Sequence, residues 1–213
     1  MKKGWIGSVL VSTLFLSACT FGDSTQTQLT DVLSGVYEEE KGYRDAQKEL
    51  AILEVEEQTT FNEVMKLTQK DKEQVTTLAD ELETSVSKRV ALIEQEANSM
   101  ENAQNSLSKF EDILKDSKDE ETKGLEDLKS ALGARYEAHE KVSKEYLNLA
   151  ELQKNLYGLL PKEDTKQAFL QEQVVLVNEQ NEKVKSAIDA FNESTKHSNE
   201  LQEKVYSTLG SDK

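Results

Sequence analysis

The residue with the clearest chemical signature is Cys19, the only cysteine in the 213-residue chain. It directly follows Leu16, Ser17 and Ala18, and a stretch of about ten mostly apolar residues comes before them. Leu-Ser-Ala-Cys is the pattern at which bacterial lipoprotein signals are cut, and the cysteine thiol then takes a diacylglyceryl group. The apolar stretch has the length of a signal-peptide core and is too short to span a bilayer. We therefore predict a lipoprotein signal peptide over residues 1–18.

A lipid on Cys19 would decide where the protein resides. One acyl chain binds a membrane only reversibly, whereas two hold it durably at ~0.8 kcal/mol per buried methylene. We expect the outer face of the cytoplasmic membrane, with the protein facing the cell wall. The alternative is a buried free cysteine in an intracellular protein. Lys2 and Lys3, which precede the apolar stretch as a basic start, favour the lipoprotein interpretation.

The net charge excludes some classes of partner. The chain carries 26 basic and 41 acidic residues, a formal charge of −15 at pH 7. Removal of residues 1–18 takes away two lysines and makes the chain more acidic still. Such a chain has no basic stripe for nucleic acid. It is also repelled by anionic lipid head groups, so the lipid anchor rather than the protein surface must hold it at the membrane.

Other residues that could do chemistry are few. The chain has two histidines, His139 and His197, and neither follows a Glu by three residues in the arrangement that places two metal ligands on one helix face. No Gly-rich phosphate loop or Gly-x-Ser-x-Gly turn is present. The acidic runs over residues 38–40 and 119–121 lack the spacing of a calcium loop and are typical of solvated faces. We predict no enzymatic activity, no metal site and no cofactor besides the lipid on Cys19.

The elements that carry these residues are predicted to be helices. Pro161 is the only proline, and Gly is scarce, so the turns that strands require are nearly absent. Apolar residues instead recur at spacings of three and four. The sequence therefore predicts an all-α fold: an elongated bundle of about four long helices with coiled-coil-like packing. We assign residues 19–28 to a flexible tether and residues 29–213 to the helical bundle.

Sequence signals place the ends of the four helices. The first runs over about residues 30–67, with Glu57 interrupting its apolar stripe. Asp71 with Gln74 and Ser117 with Glu120 resemble capping pairs that start the second and third helices, and Asp164 with Gln167 does so for the fourth. The second helix carries a heptad of apolar residues, which predicts a neighbouring helix along its whole length: Val86, Ile93, Met100, Leu107 and Leu114. Gly158 and Pro161 are predicted to end the third.

Several polar residues fall on the apolar stripes. Arg135 and His139 lie on the stripe of the third helix, and Thr195 and Ser198 on that of the fourth. One interpretation is that they fix the register between helices, as a buried Asn does in a coiled coil. The other is a surface to which a partner helix adds. For His139 we expect a packed, hydrogen-bonded side chain.

The order of certain residues resembles a known family. Arg135-Tyr136-Glu137-Ala138, Tyr146 and Leu156-Tyr157, followed by Asn178, Val184, Phe191-Asn192, Thr195 and Asn199, are similar to motifs of the YkyA-type cell-wall-binding lipoproteins of Gram-positive bacteria. The resemblance covers nearly the whole chain after the signal peptide. It implies an extracytoplasmic lipoprotein associated with the cell wall, and it brings no catalytic residue.

Three functions remain in competition. The first is a non-enzymatic adaptor that binds another envelope protein, and the second is a protein that binds peptidoglycan or teichoic acid directly. An enzyme of wall turnover is the least favoured, because no catalytic set is present. The residues proposed for a binding face, whose tyrosines are more often found in a core, are Arg135, Tyr136, Tyr146, Tyr157, Asn178 and Asn192. The sequence does not specify the oligomeric state.

Overall fold

The computed structural model describes residues 24–68 and 70–210 of the chain. The predicted signal peptide and Cys19, with Leu16, Ser17 and Ala18, lie outside the described residues. The described part contains six α-helices and a 3-10 turn at Leu107–Lys109 that joins α3 to α4. The helices are α1 Thr25–Glu39, α2 Lys41–Val64, α3 Lys72–Ser106, α4 Phe110–Asp116, α5 Asp119–Tyr157 and α6 Gln167–Gly210.

These elements form four long rods: α1 with α2, α3 with α4, α5, and α6. Each rod packs against the next one along the chain, and α1 also contacts α6, which closes the ring. The longest helix, α6, has 44 residues and is about 65 Å long at 1.5 Å per residue. The predicted all-α class and elongated bundle of about four helices are confirmed, and the described residues contain no strand.

The bundle has two distinct ends. At the near end, the Thr25 hydroxyl at the start of α1 donates to Glu121 of α5 at 3.0 Å, and Thr30 lies 3.0 Å from the hydroxyl of Tyr206. At the far end, the connections α2–α3 and α5–α6 meet, because the Lys72 ammonium pairs with Glu163 at 2.6 Å. The amino terminus of the described chain therefore lies at the near end, and both of these connections lie at the far end.

The first helix begins earlier than predicted. Ser24 caps α1 by accepting a hydrogen bond from the Thr27 amide at 3.3 Å, and the helix starts at Thr25. Residues 25–28, which were predicted to belong to the tether, are helical. The reason is that the apolar stripe of α1 starts at Leu29, which is fully buried. A capped first turn in front of this residue extends the helix towards the amino terminus.

The predicted single helix over residues 30–67 is broken at Glu40 and ends at Val64. Ser99 of α3 bridges the break, since its hydroxyl donates to the Glu39 carbonyl at 2.5 Å and accepts from the Tyr43 amide at 3.0 Å. The helices approach closely here: a Cβ on Gly42 would lie 3.0 Å from the Cβ of Ser99. A tertiary contact thus replaces backbone hydrogen bonds that a continuous helix would make.

The predicted capping pairs of the second and third helices are not formed as expected. Asp71 precedes α3, but its carboxylate accepts from the Thr68 amide at 2.9 Å and makes no cap bond to the helix. At α5 the Lys118 amide donates to Glu121 at 3.2 Å, so Glu121 rather than Glu120 provides the cap. Helix α5 does end at Tyr157, just before Gly158, as predicted.

The core consists of one large cluster and two smaller ones. The large cluster contains 18 buried apolar residues in the near half of the bundle, among them Leu29, Phe110 and Leu125. The smaller clusters contain 6 and 5 buried residues and lie in the far half and the middle. Of the predicted heptad, Val86, Ile93, Met100 and Leu107 are buried, and Leu114 packs against the large cluster while partly exposed.

Candidate functional site

The polar residues on the apolar stripes form three layers inside the bundle. The near layer is centred on Glu40, at the break between α1 and α2. Arg135 of α5 holds its carboxylate with two N–H···O contacts of 2.5 and 3.2 Å, and the Tyr136 hydroxyl donates to it at 2.7 Å. The Arg135 Nε–H donates to Thr195 of α6 at 3.1 Å. This layer therefore joins three of the four rods.

The middle layer contains His139 in an aromatic environment. Its Nε2 lies 2.5 Å from a carboxylate oxygen of Glu96 on α3, and the Gln47 amide of α2 donates to the same carboxylate at 2.7 Å. The rings of Tyr43 and Phe191 both meet the imidazole edge-on, with centroids 5.3 Å away. His139 and Glu96 are 2% and 1% exposed. The expectation of a packed, hydrogen-bonded histidine is confirmed.

The far layer is built around a buried arginine. Arg89 of α3 binds the carboxylate of Glu57 through Nε at 2.9 Å and through Nη2 at 2.8 Å. The Tyr157 hydroxyl donates to the same carboxylate at 2.8 Å. Glu57, which interrupts the apolar stripe of α2 in the sequence, is only 5% exposed. Two planar groups in a bidentate arrangement give this contact both strength and directionality.

The far layer extends beyond this pair. Arg89 also donates to the Tyr146 hydroxyl at 2.8 Å and to the Gln153 side chain at 2.7 Å. The Tyr146 hydroxyl in turn donates to Glu54 at 2.5 Å. The N–H groups of the Arg89 guanidinium thus donate hydrogen bonds to side-chain oxygens on α2 and α5. The layer therefore fixes three helices relative to each other at a site from which water is largely excluded.

The electrostatics of the layers keep the tyrosines protonated. Burial, reinforced by Glu40, raises the pKa of Tyr136 above its ordinary range, and burial with Glu57 does the same for Tyr157. Burial also raises the pKa of Tyr146 well above 10. Burial alone lowers the pKa of Arg135, but the charge and hydrogen bonds of Glu40, together with Tyr136 and Tyr43, outweigh this effect and raise it. These groups are hydrogen-bond donors to carboxylates and are not prepared to release or accept a proton near neutral pH.

Four of the six residues predicted for a binding face are buried inside the bundle. Arg135, Tyr136, Tyr146 and Tyr157 are 2% to 6% exposed, so none of them can meet a ligand in this fold. Asn178 is exposed on α6 and Asn192 is partly exposed. The prediction is wrong for these four residues because their aromatic and guanidinium groups donate to carboxylates on neighbouring helices. Their helical spacing is that of core positions, which was the alternative interpretation.

Three charged partners in these layers were not predicted: Arg89, Glu96 and Glu40, which is only 6% exposed although it belongs to the acidic run predicted to be solvated. A signal for them was present, because Glu57 and Arg135 were recognised as charged residues on apolar stripes. A buried charge requires an opposite charge, so partners had to lie on the stripes of other helices. Which residues pair could not be read from the sequence, since Arg135 and Glu40 are 95 positions apart.

Two shallow concavities lie between α2 and α3 on the described surface. One, of about 550 Å³, is open to solvent and bordered by Glu39, Gly42 and Asn98; the other, of about 470 Å³, is bordered by Glu56, Asp80 and other polar residues. No group of three or more His, Cys, Asp or Glu residues converges on a metal position within residues 24–68 and 70–210. None of the helices described is both long and apolar enough to cross a membrane.

Together these features define a class: an elongated four-rod helical bundle held in register by buried Arg–Glu–Tyr layers. Comparison with known proteins gives the family. Residues 24–208 match the YkyA family, described as "Putative cell-wall binding lipoprotein", and the chain belongs to this family. The "Uncharacterized lipoprotein YkyA" of Bacillus subtilis (strain 168) is 28% identical over 206 residues, which cover 96% of this chain and 92% of that protein.

The fold is also found in a solved structure. A conserved protein of unknown function from Staphylococcus aureus matches with a TM-score of 0.75, over 88% of this chain and 97% of that one. The two sequences are 18% identical, so the match concerns the fold alone. The family match over residues 24–208 confirms the resemblance that the order of Arg135, Tyr136 and the later motifs predicted.

Proposed function

We propose that this protein is a lipid-anchored, non-enzymatic helical rod that stands on the outer face of the cytoplasmic membrane and binds another component of the cell envelope. The observation that carries this proposal is the geometry of the bundle. The described chain starts at one end of a body about 65 Å long. Residues 19–24 reach at most about 20 Å when extended. An anchor at Cys19 would therefore keep the near end beside the membrane and project the far end towards the wall.

A binding role without catalysis is supported by where the reactive side chains lie. Catalysis requires groups that reach a substrate in a concave site. Here His139, Arg89 and Arg135 are buried and satisfied by partners within the bundle. Their arrangement serves the rigidity of the rod. A rigid rod is suited to holding one binding surface at a fixed distance from an anchor.

The anchor is tested by the substitution Cys19→Ala in the producing cells. We expect the variant to lose the lipid and to leave the membrane fraction, while the wild-type protein stays there. An uncleaved signal would also hold the variant at the membrane, so the mass of its amino-terminal peptide is measured as well. A second variant, in which residues 1–19 are replaced by a cleavable secretory signal, is the control. Firm membrane retention of this control would contradict the proposal.

The binding role is tested by crosslinking in intact cells. A photoreactive residue is placed either at the exposed Phe169 near the far end or at the exposed Lys204 near the near end. If the rod presents its far end to a partner, the first position gives a discrete crosslinked species and the second does not. Equal, diffuse products from both positions would contradict a specific envelope partner at the far end.

A further inference from the structure

The far end combines residues that are distant in the sequence. The α2–α3 connection and the α5–α6 connection are joined by the ion pair between Lys72 and Glu163, which are 91 positions apart. Tyr157, Leu160 and Leu170 lie in the same apolar cluster as Val64 beneath these connections. Both connections are therefore parts of one surface, which neither stretch of sequence indicates alone.

This surface carries five exposed lysines, which we call the far-end lysine cluster: Lys66, Lys70, Lys72, Lys162 and Lys166. Lys72 is paired with Glu163. The other four form no ion pair with any residue in the part of the chain that the structure describes. Each of these four side chains therefore presents an ammonium group to solvent.

The acidic residues around the cluster are partly engaged. The carboxylate of Asp71 accepts from both the amide and the hydroxyl of Thr68, and these bonds lower its pKa. Glu163 is held by Lys72, which lowers the pKa of Glu163 as well. Asp164 and the flanking Glu63 and Glu73 are exposed. The far end is thus close to neutral overall, on a chain whose formal charge is −15.

Large apolar side chains are exposed beside the lysines. Met65 is 61% exposed next to Lys66, and Phe169, one helical turn after Lys166, is 45% exposed. Exposed amines next to an aromatic face can bind anionic groups while the ring stacks against the apolar face of a sugar or polyol unit. The four lysines form no ion pair among the described residues and are exposed, so their side chains are free to adapt to a flexible ligand.

We propose that the far-end lysine cluster binds a phosphate-bearing polymer of the cell wall. The acidic body does not prevent this, because charges farther away than the Debye length of about 8 Å are largely screened at physiological salt. Lysine carries a compact point charge on a flexible stem, which suits the phosphates of a flexible chain. The cluster contains no arginine. This inference rests on the proposed function only for the placement of the far end near the wall.

The test uses the full-length protein, purified in detergent, and isolated cell walls in a co-sedimentation assay. The walls are used intact, or after mild acid extraction has removed their phosphate polymers. The test variant replaces Lys66, Lys70, Lys162 and Lys166 by Gln. The matched control makes the same change of charge at exposed lysines elsewhere on the rods, and it replaces Lys88, Lys141, Lys144 and Lys204 by Gln.

We expect the test variant to bind intact walls about tenfold more weakly than wild type and the control variant to bind them within about twofold. Extraction of the phosphate polymers should remove wild-type binding, and raised salt should weaken it. The double variant Lys162→Gln/Lys166→Gln should give an intermediate loss. Circular dichroism of all variants checks that helix content is unchanged.

Three results would overturn the inference. Equal losses in the test and control variants would assign the binding to overall charge and not to the far end. Binding that survives extraction would point to the carboxylates of the glycan layer. Wild-type protein that does not sediment with any wall would exclude direct binding, whereas a discrete protein captured at Phe169 in cells would then still support the proposed function.

Discussion

The two halves of the rod differ in how they use their core positions. The near half has one continuous cluster of 18 buried apolar residues. The middle and far half together have clusters of 6 and 5, and the Arg89 layer occupies the space between helices there. The large apolar side chains that remain exposed among the described residues all belong to the far half: Ile52, Val55, Met65, Leu147, Phe169, Val175 and Leu176.

This difference indicates a division of roles along one fold. Buried apolar area is the main source of stability at about 25 cal/mol per Å², so the near half should be the more resistant to opening. A buried ion pair adds little net stability compared with a well-packed apolar replacement. We interpret the Arg89 and Arg135 layers as devices that select one register, because a shift of a helix by one turn would leave charges unpaired.

The largest expected effect tests the far half. Arg89→Met leaves the buried carboxylate of Glu57 without its charged partner, and we expect it to lower the free energy of unfolding by about 3–5 kcal/mol. The double variant Arg89→Met/Glu57→Gln should recover part of this loss because no lone charge remains. Urea unfolding measures both. Amide hydrogen exchange of the single variant should accelerate in the far half more than around Phe110; uniform acceleration would argue against separate halves.

The next effect appears at alkaline pH. The buried tyrosines of the near and far layers have a pKa raised above 10 in the folded state, so well below pH 10 their hydroxyls are protonated in the folded and the unfolded state alike. Above pH 10 the unfolded chain loses tyrosine protons first. Stability should therefore fall by up to about 1.4 kcal/mol per pH unit for each tyrosine.

Ultraviolet absorbance of tyrosinate, recorded with circular dichroism, follows this transition. Tyr157→Phe should reduce the decrease of stability with pH by the contribution of one tyrosine. If tyrosinate forms at a lower pH than the loss of helix, the hydroxyls ionise in the folded state. The claim that burial keeps these tyrosines protonated would then be wrong.

A smaller effect compares two glycines. Gly42→Ala would place a methyl group 3.0 Å from the Cβ of Ser99, and the helices must shift at the break, at a cost of about 1–3 kcal/mol. Gly133→Ala on α5 meets nothing within 4 Å and should stabilise the helix by about 0.5–1 kcal/mol. Thermal unfolding of both variants shows whether each substitution raises or lowers the stability of the fold. Opposite signs would confirm that the close approach at Ser99 requires glycine.

The smallest effect concerns the exposed apolar residues of the far half. Ile52→Thr and Val175→Thr change side chains that are 59% and 53% exposed, so the free energy of unfolding should stay within about 0.5 kcal/mol of wild type. A matched core change, Leu125→Ala in the near half, should cost about 2–5 kcal/mol. Urea midpoints compare them. A large loss for either surface variant would show that these residues are covered in solution.

Much of the fold could be predicted from the sequence, and each miss has a physical cause. The helical periodicity and the stop at Gly158 follow from chain-local physics, and they were correct. The break at Glu40 was missed because it depends on Ser99, a residue from another helix. The 3-10 turn at Leu107–Lys109, in the middle of the predicted heptad, has no Gly or Pro to announce it.

The amino-acid sequence by itself determined the helical class, the stripes that build the core, the motif order of the family and the acidic surface, because each depends on residue type and short-range spacing. Only the tertiary structure decided which buried charges pair and which lysines share a surface. Arg135 with Glu40, and Lys72 with Glu163, are brought together by packing and by chain reversal over more than 90 positions. The spacing of neighbouring residues does not show which residues will pair across so many sequence positions.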